Sequence, residues 1–473
     1  MTVQQLLIRY LLDPLAKLTS RFSQKVKDAG FVFFFLCIMA LYWGRGSGLL
    51  SFRYVLFFAF GCLCLGGMLL CTLPARMKPV SFRKCLLWIW LGIGALMFLS
   101  AILFNINSLP EALLFLFAYP IVFLVWNQSD CSRIFKLLLR GIEISFWLYT
   151  LICLLFFPVS SVRYCGLFTN VNGTAGYLAL VAVCLLADCL WFEKITVGRI
   201  RKLVAFGICT ALLLYAGSRT GLLELAAASF VAVIVGFIRL HKQRKLYFFR
   251  NILLIAASAF LLFYAALPVL QLGYNAKNSI VTFVQSIFAE TPNPDEPIEP
   301  TSPSTPSSPS IRPEDSADLL GDRFDTSDKD LNHFSTGRLQ IWSEYAKQLN
   351  LFGHPDSGSV TFLYNGTEKT YNTTHMTLLQ IAYENGIFTG ILYLLLNLTA
   401  GIYSLIYALR HKGNPYAMLP LLISVAYCVY SLLASTGISF WYICTLMYYL
   451  VQAPIMANPQ LPEKTEETQV GAK

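Results

Sequence analysis

The chain has 473 residues, of which 56% are hydrophobic and 13% are charged, and its formal net charge is +10. A soluble globular protein carries charge on about a quarter of its residues, so this composition excludes an ordinary soluble domain. Apolar stretches about 20 residues long, enough to cross about 30 Å of hydrocarbon, recur along the chain. They predict an all-α polytopic membrane protein.

Twelve membrane spans are predicted, with one large loop late in the chain. Residues 1–28 are expected to be a cytoplasmic segment without a cleavable signal. Residues 29–270 hold spans one to nine, residues 386–456 hold spans ten to twelve, and residues 457–473 form a cytoplasmic tail. The predicted spans are 29–44, 54–74, 85–104, 109–126, 141–159, 173–192, 203–217, 220–238, 251–270, 386–409, 417–435 and 438–456.

Basic residues indicate which connections face the cytoplasm. They gather in the even-numbered connections, as at Arg133, Lys136 and Arg140, whereas the short odd-numbered ones carry few besides Arg45 and Arg53. Both termini are therefore predicted to be cytoplasmic. The positive net charge then reflects topology and contact with anionic lipid, and no nucleic-acid partner is expected.

The stretch from 203 to 238 is too long for one span at about 1.5 Å per residue, so it must turn. Gly217 and Gly221 bracket the turn, which places Arg219 at the outer membrane face. Arg219 could anchor the turn in the lipid head groups, or it could bind an anion. Glu224, five residues further on, should face the bundle, and pairing with Arg219 is favoured over contact with an acceptor.

The large loop at 271–385 is predicted to lie outside, and it holds fifteen acidic residues against seven basic ones. Its part 291–313 contains eight prolines together with Ser and Thr, a composition typical of a disordered insert. Its part 335–385 is predicted to be helical. Ile341, Tyr345 and Leu349 repeat at helical spacing, as do Met376, Leu379 and Tyr383.

Neither metal nor cofactor is expected. The thirteen cysteines are scattered and mostly apolar packing residues, and the five histidines lack ligand spacing. Phosphate-binding glycine loops are also not found. Arg163, Arg219, Arg338 and His375 instead stand out as a set on the predicted outer side. Taken one at a time, each of these residues could equally be a solvent-exposed or structural residue without a role in function.

Four stretches in order resemble the O-antigen ligase and O-antigen polymerase superfamily of bacterial envelope enzymes. They are "RYCGLFTNVN" from Arg163, "SRTG" around Arg219, "GRLQIWSEYAKQLNLFG" with Arg338, and "HMTLLQIAYENGIFTG" from His375. The resemblance is clearest over residues 160–410. The chain departs from the family pattern at Met376, where the family often has asparagine.

The resemblance implies a metal-independent glycosyltransferase of the bacterial inner membrane. Such an enzyme moves a glycan from an undecaprenyl-diphosphate carrier to an acceptor hydroxyl on the outer side. Arg163, Arg219 and Arg338 would hold the diphosphate, since arginine binds phosphate through two donors. His375, with an ordinary pKa of about 6.5, would be the general base. Sugar contacts are expected from Asn170, Asn172, Glu224, Tyr371, Asn372 and Gln380.

Three functions remain open from the sequence. A ligase would move a finished glycan, and a polymerase would join lipid-linked repeats, by the same chemistry. The alternative is a transporter or flippase of lipid-linked oligosaccharide. A flippase is expected to carry charges at mid-membrane, whereas the charges here gather at one face together with a base, which favours an enzyme.

Overall fold

The computed structural model describes residues 2–48, 54–104, 106–157, 163–240, 242–288, 337–354, 359–364, 367–435 and 442–458, together with isolated residues at 159, 314, 318, 319 and 321. The predicted disordered insert at 291–313 and most of the predicted tail lie outside these residues. The described part is almost entirely helical, which confirms the predicted all-α membrane architecture.

The described residues up to Phe288 form twelve α-helices. They are α1 (Val3–Leu7), α2 (Asp13–Thr19), α3 (Gln24–Gly46), α4 (Tyr54–Thr72), α5 (Lys84–Leu103), α6 (Leu109–Leu113), α7 (Tyr119–Trp126), α8 (Cys131–Phe156), α9 (Val171–Cys189), α10 (Val197–Ala216), α11 (Arg219–Arg239) and α12 (Lys242–Phe288). Two π-helical turns, Ile8–Leu12 and Leu114–Ala118, and a 3-10 turn, Ile106–Ser108, join neighbouring helices.

From residue 337 onward the described residues form six α-helices and one hairpin. They are α13 (Arg338–Lys347), β1 (Val360–Tyr364), β2 (Thr367–Tyr371), α14 (Thr377–Asn385), α15 (Ile387–Arg410), α16 (Leu419–Leu433), α17 (Ile443–Val451) and α18 (Ala453–Met456), with a 3-10 turn at Pro415–Met418. The strands pair antiparallel, with Tyr364 opposite Thr367.

Ten helical segments of the described chain are long and apolar enough to cross a membrane. Two of the twelve predicted spans are not among them. The span predicted at 203–217 lies in α10, whose first turns carry Arg199, Arg201 and Lys202. The span predicted at 438–456 lies partly outside the described residues and otherwise consists of the short helices α17 and α18.

Two details of the predicted loop at 271–385 need correction. Helix α12 does not end near residue 270 but continues to Phe288, so the loop begins as a helical extension. The part predicted to be helical, 335–385, contains the β1–β2 hairpin between its two helices. The sequence separates these strands by Asn365 and Gly366, a pair that favours a two-residue hairpin turn.

The segments that follow the insert have a small core of their own. Ile341 and Tyr345 from α13, Val360 from β1 and Tyr383 from α14 are all buried together. These include three of the residues whose helical spacing predicted amphipathic helices. A core separate from the membrane bundle holds α13, the hairpin and α14 as one unit, with α14 adjoining α15 through Gly386.

Helix α16 is the element on which the bundle converges. It packs against α9, α11, α14, α15 and α17, and α9 is buried along almost its whole length. Both the first and the second half of the chain therefore meet the same helix, which decides how the candidate site is assembled.

Candidate functional site

The turn that carries Arg219 is tight because glycine supplies its geometry. Gly217 ends α10 in the left-handed conformation, at φ 60°, and α11 begins two residues later with Arg219. A Cβ at Gly221 would lie 3.1 Å from the carbonyl oxygen of Ala175, so α11 approaches α9 closely. The half-buried Arg219 side chain thus stands at a helix N-terminus, where backbone N–H groups also attract anions.

The segment that contains Arg163 contacts the same turn. The Tyr164 N–H donates to the carbonyl oxygen of Tyr215 at 3.0 Å, and the Ser218 hydroxyl contacts Asn172 Oδ1 at 3.4 Å. The exposed Arg163 therefore lies in a loop that is held against the end of α10. The predicted residues Arg163, Asn172 and Arg219 belong to one region of the molecule, here called the arginine turn.

The side chain of Asn170, a predicted sugar contact, caps a helix. Its Oδ1 accepts the N–H of Asn172 at 2.8 Å and caps α9, although the residue is exposed. Replacing such a cap costs about 1 kcal/mol. Asn172 is half-buried between this cap and the Ser218 hydroxyl.

Glu224 does not pair with Arg219, which corrects the favoured prediction. Its side chain is fully buried, and neither carboxyl oxygen has a hydrogen-bond partner among the described residues. Five residues advance an α-helix by nearly one and a half turns, so the two side chains point in different directions. Glu224 remains an unpaired carboxyl within the bundle, below the arginine turn.

His375 has an unusual backbone conformation. Its φ is 54°, and it is the one non-glycine residue with positive φ in the described part of the chain. Such conformations cost about 1 kcal/mol or more and persist where the surroundings fix them. They occur often at functional sites, which makes this turn a candidate.

Hydrogen bonds of Thr374, the residue before His375, hold this backbone conformation in place. Thr374 is fully buried, and its N–H donates to Gln380 Oε1 at 2.8 Å. Its hydroxyl donates to the carbonyl oxygen of Met376 at 2.7 Å, and its own carbonyl oxygen accepts from Trp342 Nε1 at 2.9 Å. The main chain on both sides of His375 is therefore held in place by hydrogen bonds.

Arg338 and His375 come together across this unit. Arg338 is the first residue of α13, and Trp342, one turn later, holds the His375 turn through Thr374. Burial and, second, the nearby Arg338 guanidinium lower the pKa of His375 below its ordinary value. A lowered pKa keeps the imidazole neutral at physiological pH, which is the form that a general base requires.

The remaining residues predicted to contact sugar differ in how accessible their side chains are. Asn372 is exposed, and Tyr371 is half-buried with its ring stacked on Phe362. Gln380 is buried, and both ends of its amide are used, since its Nε2 donates to Glu384 Oε1 at 2.7 Å. Gln380 therefore positions the His375 turn within the protein itself.

Helix α16 connects the arginine turn with the unit of α13, the hairpin and α14 that carries His375, here called the histidine unit. Near the C-terminal end of α16, the Tyr430 hydroxyl donates to the carbonyl oxygen of Asn172 at 3.5 Å. Just beyond that end, the carbonyl oxygen of Ala434 accepts from the Thr377 hydroxyl at 2.9 Å. Both regions therefore lie at the same end of the bundle, on either side of one helix terminus.

Several residues that hold the site were not singled out from the sequence. They are Trp342, Thr374, Glu384, Ser218 and Tyr430. Trp342 had a signal, because it follows Arg338 by one helical turn in the quoted motif. Thr374 and Glu384 act through buried hydrogen bonds, and nothing in their spacing indicates this. Burial raises the pKa of Glu384 to about 7.

Trp342 provides a test of the hydrogen bond that fixes the His375 turn. We expect Trp342→Phe to keep an aromatic ring but remove the N–H donor to Thr374, lowering the activity of the site about fivefold to tenfold for a hydrogen bond that contributes roughly 1 kcal/mol. Activity per mole of membrane-inserted protein measures this. Unchanged activity would show that the bond does not hold the turn.

The fold and this site define a polytopic membrane protein with cationic and histidine side chains gathered at one end of its bundle. A family model described as O-antigen ligase matches residues 203–394. The match includes Arg219, Arg338 and His375 and leaves Arg163 outside. This match confirms the predicted resemblance to the O-antigen ligase and polymerase superfamily, and it supports a membrane enzyme of that type. A comparison with curated proteins found no match.

Proposed function

We propose that this enzyme transfers a glycan from an undecaprenyl-diphosphate carrier to an acceptor hydroxyl on the outer side of the bacterial inner membrane. The observation that supports it most is the histidine unit. A half-buried imidazole with a lowered pKa is fixed beside an arginine at the end of the bundle that also carries the arginine turn. A base next to cations suits a reaction whose leaving group is an anion.

In the proposed step, His375 takes the proton of the acceptor hydroxyl, and the oxygen attacks the anomeric carbon. The bond from that carbon to the diphosphate oxygen breaks, and the carrier diphosphate leaves with the electron pair. A single direct displacement inverts the anomeric configuration. No metal is proposed, because arginines can stabilise the charge that develops on the leaving oxygen.

The two regions supply different parts of this step. Arg219 and Arg163, at the arginine turn, are proposed to bind the diphosphate at head-group depth. Arg338, beside His375, is proposed to stabilise the developing charge and to keep the imidazole neutral. Asn172, Tyr371, Asn372 and Glu224 stay candidates for sugar hydroxyls.

The outward orientation of the site is also a proposal, supported by the basic residues at the other end of the bundle. There Arg239 donates to the carbonyl oxygen of His411, and Arg133 pairs with Asp28. The positive-inside rule assigns such an end to the cytoplasm and both termini with it. Ligase and polymerase share every residue named here, so the proposal covers both.

Reconstitution tests the proposed reaction directly. The purified full chain would be placed in vesicles with a polyprenyl-diphosphate-linked oligosaccharide and candidate acceptors, in buffer containing a chelator. We expect release of polyprenyl diphosphate together with a glycan joined to the acceptor. Carrier that crosses the bilayer with its glycan still attached would contradict the proposal.

The lowered pKa of His375 predicts a pH profile. Above its pKa the imidazole of His375 is neutral and can act as a base, so activity should be constant near neutral pH. Activity should fall when the pH drops through the pKa of His375, which lies below the ordinary value of 6.5. Arg338→Gln removes one cause of the lowering, and we expect the acid limb of the residual activity to move to higher pH. The midpoint of this limb, read separately from the maximal rate, is the measurement.

Two variants serve as controls for this profile. Lys347→Gln changes the same charge at the far end of α13, where Lys347 pairs with Glu344, and should leave the midpoint unchanged. Glu384→Gln removes a second titrating group of this unit, because burial raises the pKa of Glu384 to about 7. If Glu384→Gln abolishes the acid limb, His375 is not the group that the profile reports.

A further inference from the structure

Two adjoining cavities lie at the end of the bundle opposite the candidate site, between α3 and α8. The far ends of these helices reach the site. The carbonyl oxygen of Gly46, at the end of α3, accepts the Thr169 N–H at 2.9 Å, and α8 ends at Phe156, shortly before Arg163. The residues near Gln24 and Cys131 therefore mark the opposite membrane face.

The cavities form one groove, because Asp28 and Arg140 line both of them. Their volumes are about 370 Å³ and about 450 Å³. The first is lined mostly by residues with charged or polar side chains, Lys136 among them. The second has Lys25 at one end and a wall of Val32, Phe33 and Ile144.

The charges in this groove are unbalanced. Arg133 forms an ion pair with the carboxylate of Asp28. Lys25, Lys136 and Arg140 are exposed, and no ion pair joins them to any side chain in the described ranges. Asp130 caps α8 by accepting the Ser132 N–H at 3.0 Å. Four cations thus line the groove against two carboxylates, Asp28 and Asp130, which leaves its lining net positive.

The order of side chains fits an amphiphile with an anionic head. Lys25 stands at the start of α3, and Lys136 and Arg140 lie in the first three turns of α8, ahead of the predicted span at 141–159. The apolar wall continues along both helices beyond these cations. Along α8, Ile144 lies one turn beyond Arg140. Arginine and lysine bind phosphate well, and each basic residue near a membrane surface attracts anionic lipid.

We propose that this groove is a binding site for an anionic phospholipid of the leaflet opposite the candidate site. Its phosphate contacts Arg140, Lys136 and Lys25, and an acyl chain lies along Val32, Phe33 and Ile144. The site is separate from the proposed glycan transfer and does not depend on it.

Native mass spectrometry of the full chain in a neutral detergent tests the site. The probes are dioleoyl phosphatidylglycerol, dioleoyl phosphatidylcholine and inorganic phosphate. We expect saturable binding of phosphatidylglycerol, much weaker binding of phosphatidylcholine and no competition by phosphate at equal concentration. Lys136→Gln with Arg140→Gln should weaken phosphatidylglycerol binding about tenfold or more.

A matched double variant, Arg410→Gln with Lys412→Gln, removes the same charge from exposed positions at the same face but outside the groove. It should leave the affinity within about twofold. Equal weakening by both double variants would overturn the site in favour of a general surface potential. Displacement of the lipid by phosphate would show a free-anion site instead. Phe33→Ala should weaken lipid binding, and an unchanged affinity would contradict the acyl-chain contact.

Discussion

His375→Gln should lower glycan transfer at least 100-fold while the protein stays inserted in the membrane. General base catalysis contributes roughly 10²–10⁴-fold, and glutamine can donate and accept hydrogen bonds but cannot take a proton at physiological pH. The measurement is single-turnover release of polyprenyl diphosphate from a saturating lipid-linked glycan, so that binding and chemistry are separated.

His354→Gln is the matched control, since His354 belongs to the same unit. It stacks on the ring of Tyr383, and its Nδ1 lies 3.0 Å from that residue's carbonyl oxygen. We expect a loss of less than about tenfold, because the contact is structural. Near-normal turnover in His375→Gln would remove His375 as the base.

Arg219→Gln should be almost as damaging, with a loss of about 10²–10³-fold in transfer. This is the size expected when one preorganised donor to a developing oxyanion is removed. Arg219→Lys keeps the charge but cannot donate two parallel hydrogen bonds to phosphate, so its transfer rate should lie between those of Arg219→Gln and the wild type. Initial rates measured against carrier concentration show whether the loss falls on binding, on turnover or on both.

Arg410→Gln is the comparison for Arg219→Gln. Arg410 is an exposed arginine at the far end of α15, on the face opposite the site. Its replacement should leave transfer within about twofold. If Arg219→Gln also retains normal transfer, then Arg219 only anchors the turn in the lipid head groups.

Much of the fold could be predicted from hydropathy because a membrane span must be apolar along its whole length. The turn at Gly217, the order of the spans and the buried faces of α13 and α14 all follow from composition and spacing. The hairpin at 360–371 was missed, although Asn365-Gly366 is a strong hairpin signal. Its strand TEKTY is polar at four of five positions and shows no apolar alternation.

The candidate site was also predictable only in part. Arg163, Arg219, Arg338 and His375 stand out because charge is rare in so apolar a chain. The residues that hold these four side chains in place do not stand out in the sequence. They act through contacts between residues far apart in the chain, such as Trp342 with Thr374 and Tyr430 with Asn172. Helical spacing also could not show that Glu224 is buried without a partner.

The most direct test of the central proposal is the pool of carrier-linked glycan in cells whose copy of this protein is His375→Gln. Its size and its side of the membrane would be measured against wild-type cells. The proposed transfer predicts that carrier-linked glycan accumulates on the outer face, as long chains for a ligase or as single repeats for a polymerase. Glycan held on the cytoplasmic face would contradict transfer and indicate a flippase.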